Sequence, residues 1–140
     1  MTADTLTREH RSWNMSRIQG RNTRPELRLR SLLHREGYRF RLHVGGLPGR
    51  PDIVLPRYRT AIFVHGCFWH RHEGCRSTTN PSTRPEFWQN KFSENVSRDA
   101  RNQAALREAG WNVLVVWECE LKAESDSIVA FIGRHLRVER

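Results

Sequence analysis

The sequence contains no run approaching the roughly 18 apolar residues that a transmembrane helix needs. Its N-terminal stretch also lacks the apolar core of a secretory signal. No membrane partner is therefore expected, and a cytosolic location is. Cysteine is scarce, with three in 140 residues, too few for a disulfide scaffold. In a cytosolic chain such thiols stay reduced or hold a metal. Lysine is nearly missing, since 22 of the 24 basic residues are arginine. No internal repeat is present beyond the tetrapeptide Thr-Arg-Pro-Glu at 23–26 and again at 83–86. There is no heptad pattern or broad apolar stripe either, so a monomer is expected.

Against these absences stand a 37% hydrophobic content and a formal charge of +9. A chain of this length forms one domain that buries about two-thirds of its unfolded surface. Residues 1–50 hold 11 arginines against four acids. Arginine matches phosphate through its planar fork, so a polyanion such as nucleic acid is the expected partner. A merely solvated charged face is the competing explanation.

Residues 1–20 read as a basic N-terminal arm, with Trp13, Met15 and Ile18 as its few apolar points. Residues 21–140 read as the single folded domain. Thr23-Arg24-Pro25-Glu26 is a capping-box pattern that opens a helix, Leu29, Leu32 and Leu33 face its core, and Gly37 stops it. Tyr38, Phe40, Leu42 and Val44 alternate with polar residues and predict a strand. Two apolar strands follow, from Asp52 to Leu55 and from Thr60 to His65, joined by a turn at 56–59. Residues 66–82 read as a loop. A second capping pattern at Thr83-Arg84-Pro85-Glu86 opens a helical region to Ala109, with a break conceivable near Ser93. Trp111 to Trp117 is the last strand. A helix from about Ser125 to Arg137, with Ile128, Ile132 and Leu136 on one face, ends the chain. The order α-β-β-β-α-β-α predicts an α/β fold, a mixed sheet with helices on both faces. The long helical crossover requires at least one parallel pairing.

Chemistry concentrates in the middle of the chain. Cys67, either His70 or His72, Cys75 and the distant Cys119 suit a closed Cys₃His tetrahedron, the usual form of a structural zinc site. Three buried free cysteines are the bland alternative. Asp52 begins one apolar strand, His65 ends the next, and His70 follows closely. A carboxylate and a backbone carbonyl suit Mg²⁺, and an imidazole can move a proton near neutrality. Together these features predict metal-assisted phosphodiester cleavage.

The strings Pro48-Gly49-Arg50-Pro51-Asp52, Val64-His65-Gly66-Cys67-Phe68-Trp69-His70, Glu86-Phe87-Trp88, Asn95-Val96-Ser97-Arg98-Asp99 and Val116-Trp117-Glu118-Cys119 closely resemble the very short patch repair (Vsr) DNA mismatch endonucleases. The resemblance runs from about Asn14 to Cys119. It implies a variant of the restriction-endonuclease, or PD-(D/E)XK, fold. It also implies an enzyme that nicks one strand 5′ of the thymine in T·G mismatches left by 5-methylcytosine deamination.

By the same resemblance Asp52 and the Val64 carbonyl bind Mg²⁺, and His65 replaces the lysine of the wider superfamily. His70 is the general acid or base, and Asp99 supports it from the following helix. Cys67, His72, Cys75 and Cys119 bind zinc. Phe68 and Trp69, with Trp88 nearby, form an aromatic wedge that enters the duplex. Mismatch-repair proteins, a helicase and a repair polymerase are the implied partners, and the bacterial cytoplasm and nucleoid the implied location. Two departures stand out: Glu73-Gly74 precede Cys75, and Val64 offers no side-chain oxygen. Glu26 suits either a capping role or a place near the metal. A zinc-stabilised DNA-binding module without catalysis, and a related nuclease with another target, are the competing expectations.

Overall fold

The structure, a computed structural model, describes residues 23–123 and 125–136. The arm at 1–20 lies outside them. Helix α1 (Arg24–Arg35) starts as its sequence predicts. The Thr23 hydroxyl accepts the Glu26 N–H at 3.4 Å, and Pro25 occupies the first turn. Leu29, Leu32 and Leu33 are buried, each contributing on the order of 1.5–3 kcal/mol relative to exposure.

The sheet runs β1 (Arg41–Leu42), β2 (Ile53–Leu55), β3 (Thr60–His65), β4 (Asn112–Trp117), in that spatial order. All six residues of β3 are buried, as a central strand covered on both faces should be. It pairs antiparallel with β2 and parallel with β4, the latter across the 24-residue helix α3 (Pro85–Glu108). Alternation along the strands sorts the core into two layers. Ile53, Leu55, Ile62, Val64, Leu114 and Val116 pack with α1, α4 (Glu118–Ala123) and α5 (Ser125–His135). Ala61 and Phe63 pack with Leu106 of α3 on the other face.

The register His65↔Trp117 ends both parallel strands level with each other. Whatever follows β3 and whatever follows β4 therefore emerge side by side. That single fact assembles the site.

Several local expectations need correction. The strand expected over Tyr38–Val44 shrinks to Arg41–Leu42, with both residues exposed. Tyr38 and Phe40 pack on the core without pairing, and His43, at φ 46, bends the chain away. The 66–82 loop opens with a short helix, α2 (Cys67–His70). The second capping pattern is not used as a cap. Arg84, at φ 55, occupies the N-cap position without any side-chain bond. Helix α3 is unbroken at Ser93, because Ser93 and Glu94 face water while Phe92 and Asn95 are buried, so the helical period continues. Helix α4 has no counterpart in the sequence pattern. Six residues with one buried leucine show no measurable period.

Candidate active site and metal cluster

Asp52 lies just before β2 with a 15% exposed side chain, and its Oδ2 accepts the Val64 N–H at 2.7 Å. The carboxylate is thereby tied to the last turn of β3, one residue from His65. Burial pushes its pKa up to about 7, with the Val64 hydrogen bond opposing and nearby Glu26 adding to the rise. Glu26, on α1, is 2% exposed. Its Oε2 accepts from Arg30 and meets His43 Nε2, each at 2.9 Å. Glu26, His43 and Asp52 bring one ligand atom each to within 4.8 Å of one another.

Across the strand end lies a second cluster. His65 is 4% exposed, and its ring lies flat on that of His70, 3.9 Å between centroids. Burial, and then the neighbouring His70, push the His65 pKa down to about 3, so its ring stays neutral. His70 Nδ1 lies 2.6 Å from Asp99 Oδ2 on α3. An ionised carboxylate only accepts, so the proton belongs on Nδ1, and Nε2 is left to exchange a proton. The turn that leads into Asp52 is pressed on the same helix. Gly49 has φ +77, and a Cβ there would lie 2.9 Å from Asn102 Cβ. Helix α3 thus holds both Asp99 and the approach to Asp52.

Cys67 and Cys119 each come two residues after the paired ends of β3 and β4. Cys67, His72, Cys75 and Cys119 offer four ligand atoms within 4.8 Å. His72 Nδ1 lies 3.7 Å from Cys67 Sγ and 3.4 Å from Cys119 Sγ. An S–N edge of a zinc tetrahedron is about 3.6 Å from the usual bond lengths, so the set fits that ion. Burial raises the Cys67 thiol to about 12 and raises Cys119 as well, whereas a bond from the Ser77 backbone lowers Cys75 to about 6. A metal held here would displace thiol protons, so its hold would strengthen with pH. The His72 ring is stacked on Trp117 at 4.1 Å, and its carbonyl accepts the Thr78 hydroxyl at 2.6 Å.

Between the clusters Phe68 contacts Trp69, Trp88 and Phe92 edge-on, at 5.2, 5.8 and 5.2 Å. Arg71 stacks on Phe92 at 4.0 Å and donates to the carbonyls of Phe68 and Thr79. Asn95, 2% exposed, donates to the Trp69 carbonyl at 3.2 Å. Phe68, Trp69 and Trp88 are only half-buried, and their rings form one cluster.

A family model described as DNA mismatch endonuclease Vsr matches residues 3–76. The DNA mismatch endonuclease Vsr of Escherichia coli is 50% identical over 120 residues, 86% of this chain and 76% of that protein. The chain belongs to the Vsr family. The type II nicking enzyme V.XorIIP of Xanthomonas oryzae is 53% identical over 118 residues, covering 84% of this chain and 86% of its own. The type II nicking enzyme V.NmeAIP of Neisseria meningitidis is 41% identical, covering 85% and 84%. Of the residues named above, Asp52 to Cys75 lie inside the matched Vsr segment, whereas Trp88, Asp99 and Cys119 come from beyond it.

Three residues of this Vsr-family site carried little or no signal in the sequence. His43 occupied a polar position of an alternating run. Arg71 was one arginine among 22. Asn95 opened one of the strings that resemble the family, but its burial against the Trp69 carbonyl had no signal, since no period marks a buried amide. Among the described residues no helix is long and apolar enough to cross a membrane.

Proposed function

We propose that this chain, a DNA mismatch endonuclease by family, nicks one strand 5′ of the thymine in T·G mismatches that arise from 5-methylcytosine deamination. The observation that carries this is that Asp52, anchored on the Val64 N–H, and the stacked His65–His70 pair with Asp99 are both held at the same end of β3. In this proposal Asp52 and the Val64 carbonyl hold Mg²⁺, for which their hard oxygens are suited. When bound, that ion supplies charge neutralisation at the phosphate and a more acidic water.

The chain's own residues do the rest. Asp99 holds the Nδ1 proton of His70, and His70 takes or gives the reacting proton at Nε2. His65, neutral and buried, supports the His70 ring from its face where the wider superfamily uses a lysine. Cys67, His72, Cys75 and Cys119 hold a structural zinc that ties the loop to the sheet. Phe68 and Trp69, backed by Trp88, enter the duplex where a mispair weakens stacking. The fold is a restriction-endonuclease-like variant of the PD-(D/E)XK type. Residues 1–20 act as a basic DNA-gripping arm and 21–140 as one endonuclease domain. The protein works as a monomer in the bacterial cytoplasm and on the nucleoid, with mismatch-repair proteins, a helicase and a repair polymerase as partners.

Incubating purified protein and Mg²⁺ with matched and T·G duplexes of varied context tests the reaction. Nicking of the T·G duplex alone is the expected result, and Asp52→Ala and His70→Ala are expected to slow it by orders of magnitude while binding persists. Unchanged nicking by both variants would remove this mechanism.

A further inference from the structure

His43 continues the β1–β2 pairing by one step. Its N–H donates to the Asp52 carbonyl at 3.3 Å, beyond the pairs Arg41↔Val54 and Leu42↔Ile53. An extended residue there would send its side chain to one face of the sheet. His43 instead has φ 46, a left-handed conformation that is strained for a non-glycine residue. The turn puts its imidazole beside two carboxylates. Nε2 lies 2.9 Å from Glu26 Oε2 and 4.0 Å from Asp52 Oδ1. The three side chains are 13%, 2% and 15% exposed, so little water separates them.

Each partner is already fixed from its far side. Asp52 Oδ2 is bonded to the Val64 N–H, which leaves Oδ1 toward His43. Arg30 holds Glu26 from along α1, whereas His43 comes from the hairpin that carries Asp52. His43 therefore ties the helix to the hairpin at the point where their carboxylates converge.

We propose that His43 is a positioning residue: its Nε2–H, donated to Glu26 beside Asp52, holds the two carboxylates at the separation at which both serve one divalent cation. This rests on Asp52 being a cation ligand. A nitrogen that carries the donated proton has no lone pair to give, so His43 acts through Glu26 and not on the cation itself. Residues that orient a metal's ligands typically change its affinity 10- to 100-fold when removed.

The test is a titration of zinc-loaded protein with Mn²⁺, followed by the EPR signal of free Mn²⁺. His43→Gly removes the imidazole but suits the positive φ, so the strain it relieves should offset part of the lost bond to Glu26 and a cooperative thermal melt should show it still folded. It should bind Mn²⁺ about 10- to 100-fold more weakly. His43→Gln, whose amide N–H reaches nearly the same place, should recover most of that loss. The affinity for T·G duplex measured without divalent cation should not move.

If Asp52→Asn abolishes Mn²⁺ binding while His43→Gly stays within about twofold of the unsubstituted protein, short of the expected change, the role of His43 is overturned and that of Asp52 stands. If Asp52→Asn leaves Mn²⁺ binding unaltered, or the unsubstituted protein binds none, both fall. A directly bonded nitrogen in the Mn²⁺ spin-echo spectrum that disappears in His43→Gln would make His43 a ligand and also overturn the proposal.

Discussion

His65 and His70 lie face to face, with centroids 3.9 Å apart and ring planes only 7° from parallel. Two imidazolium ions do not stack in this way. Asp99 stands beside His70, and burial keeps His65 neutral. A proton on His70 is thus balanced by one carboxylate and faced by an uncharged ring.

His70→Ala should lower kcat by about 10²- to 10⁴-fold, the usual contribution of a placed acid or base. Asp99→Asn should act in the same direction, because it withdraws the acceptor that fixes the His70 tautomer. Fluorescence anisotropy with a T·G duplex should show unchanged Kd in both. A parallel loss of binding would reassign the pair to DNA contact.

The pH dependence of stability in metal-free protein separates two opposed groups. Asp52 has a raised folded pKa, about 7 against a usual 3.8. Its contribution is full below pH 3.8 and is lost as pH rises through 7. His65 has a lowered folded pKa, about 3 against 6.5. Its contribution is full above 6.5 and is lost as pH falls toward 3. Between about pH 4 and 6.5 the two nearly offset each other. Relative to the unsubstituted protein, Asp52→Asn should therefore gain melting temperature as pH rises, and His65→Gln should gain it as pH falls. Thermal melts across pH 4–8 check both signs, and parallel curves for the two variants would contradict them.

Elemental analysis should find one zinc per chain and less in Cys119→Ser. Structural zinc sites bind with on the order of 10 kcal/mol, so the variant and chelator-treated protein should both melt at lower temperature. Loss of zinc without any change in melting temperature would show that the loop is held by other contacts.

Gly49→Ala should destabilise by about 1–3 kcal/mol, combining left-handed strain with a clash at Asn102. It should also lower kcat, since that turn sets Asp52 against the helix that carries Asp99. Gly46→Ala is the control: a Cβ there meets nothing within 4 Å. Urea denaturation of both variants decides it, and equal midpoints would remove the argument.

Discrimination should fall when the wedge is trimmed. Stacking of a base on an aromatic ring contributes about 1–3 kcal/mol. Phe68→Ala or Trp69→Ala should thus lower the ratio of T·G to matched-duplex nicking by about 10- to 100-fold, measured in single-turnover assays. An unaltered ratio would make these rings part of the core alone.

Much of this was written in the linear chain. The run Ala61–Val64 is apolar because water reaches neither of its faces, and with Thr60 and His65 at its ends it forms β3 with the expected bounds. Leu29, Leu32 and Leu33 fall on one side of α1 because the helix repeats every 3.6 residues. The tight cluster Cys67–Cys75 is local, so its candidate ligands are visible without a fold. By contrast, the capping signal at Thr83 is identical to that at Thr23, yet only Thr23 caps a helix, since chain direction upstream of the helix is set by packing. Cys119 joins Cys67, and Asp99 joins His70, only because a parallel pairing levels the two strand ends and α3 crosses between them. The buried bond between Glu26 and His43 is likewise a matter of tertiary approach, 17 residues apart in sequence. Periodicity and composition act through neighbours along the chain, so the sequence alone determined α1, β2, β3, α3, β4 and α5, the basic charge and the ligand types. Distances between remote side chains depend on how sheets and helices pack, and these only the folded structure decided.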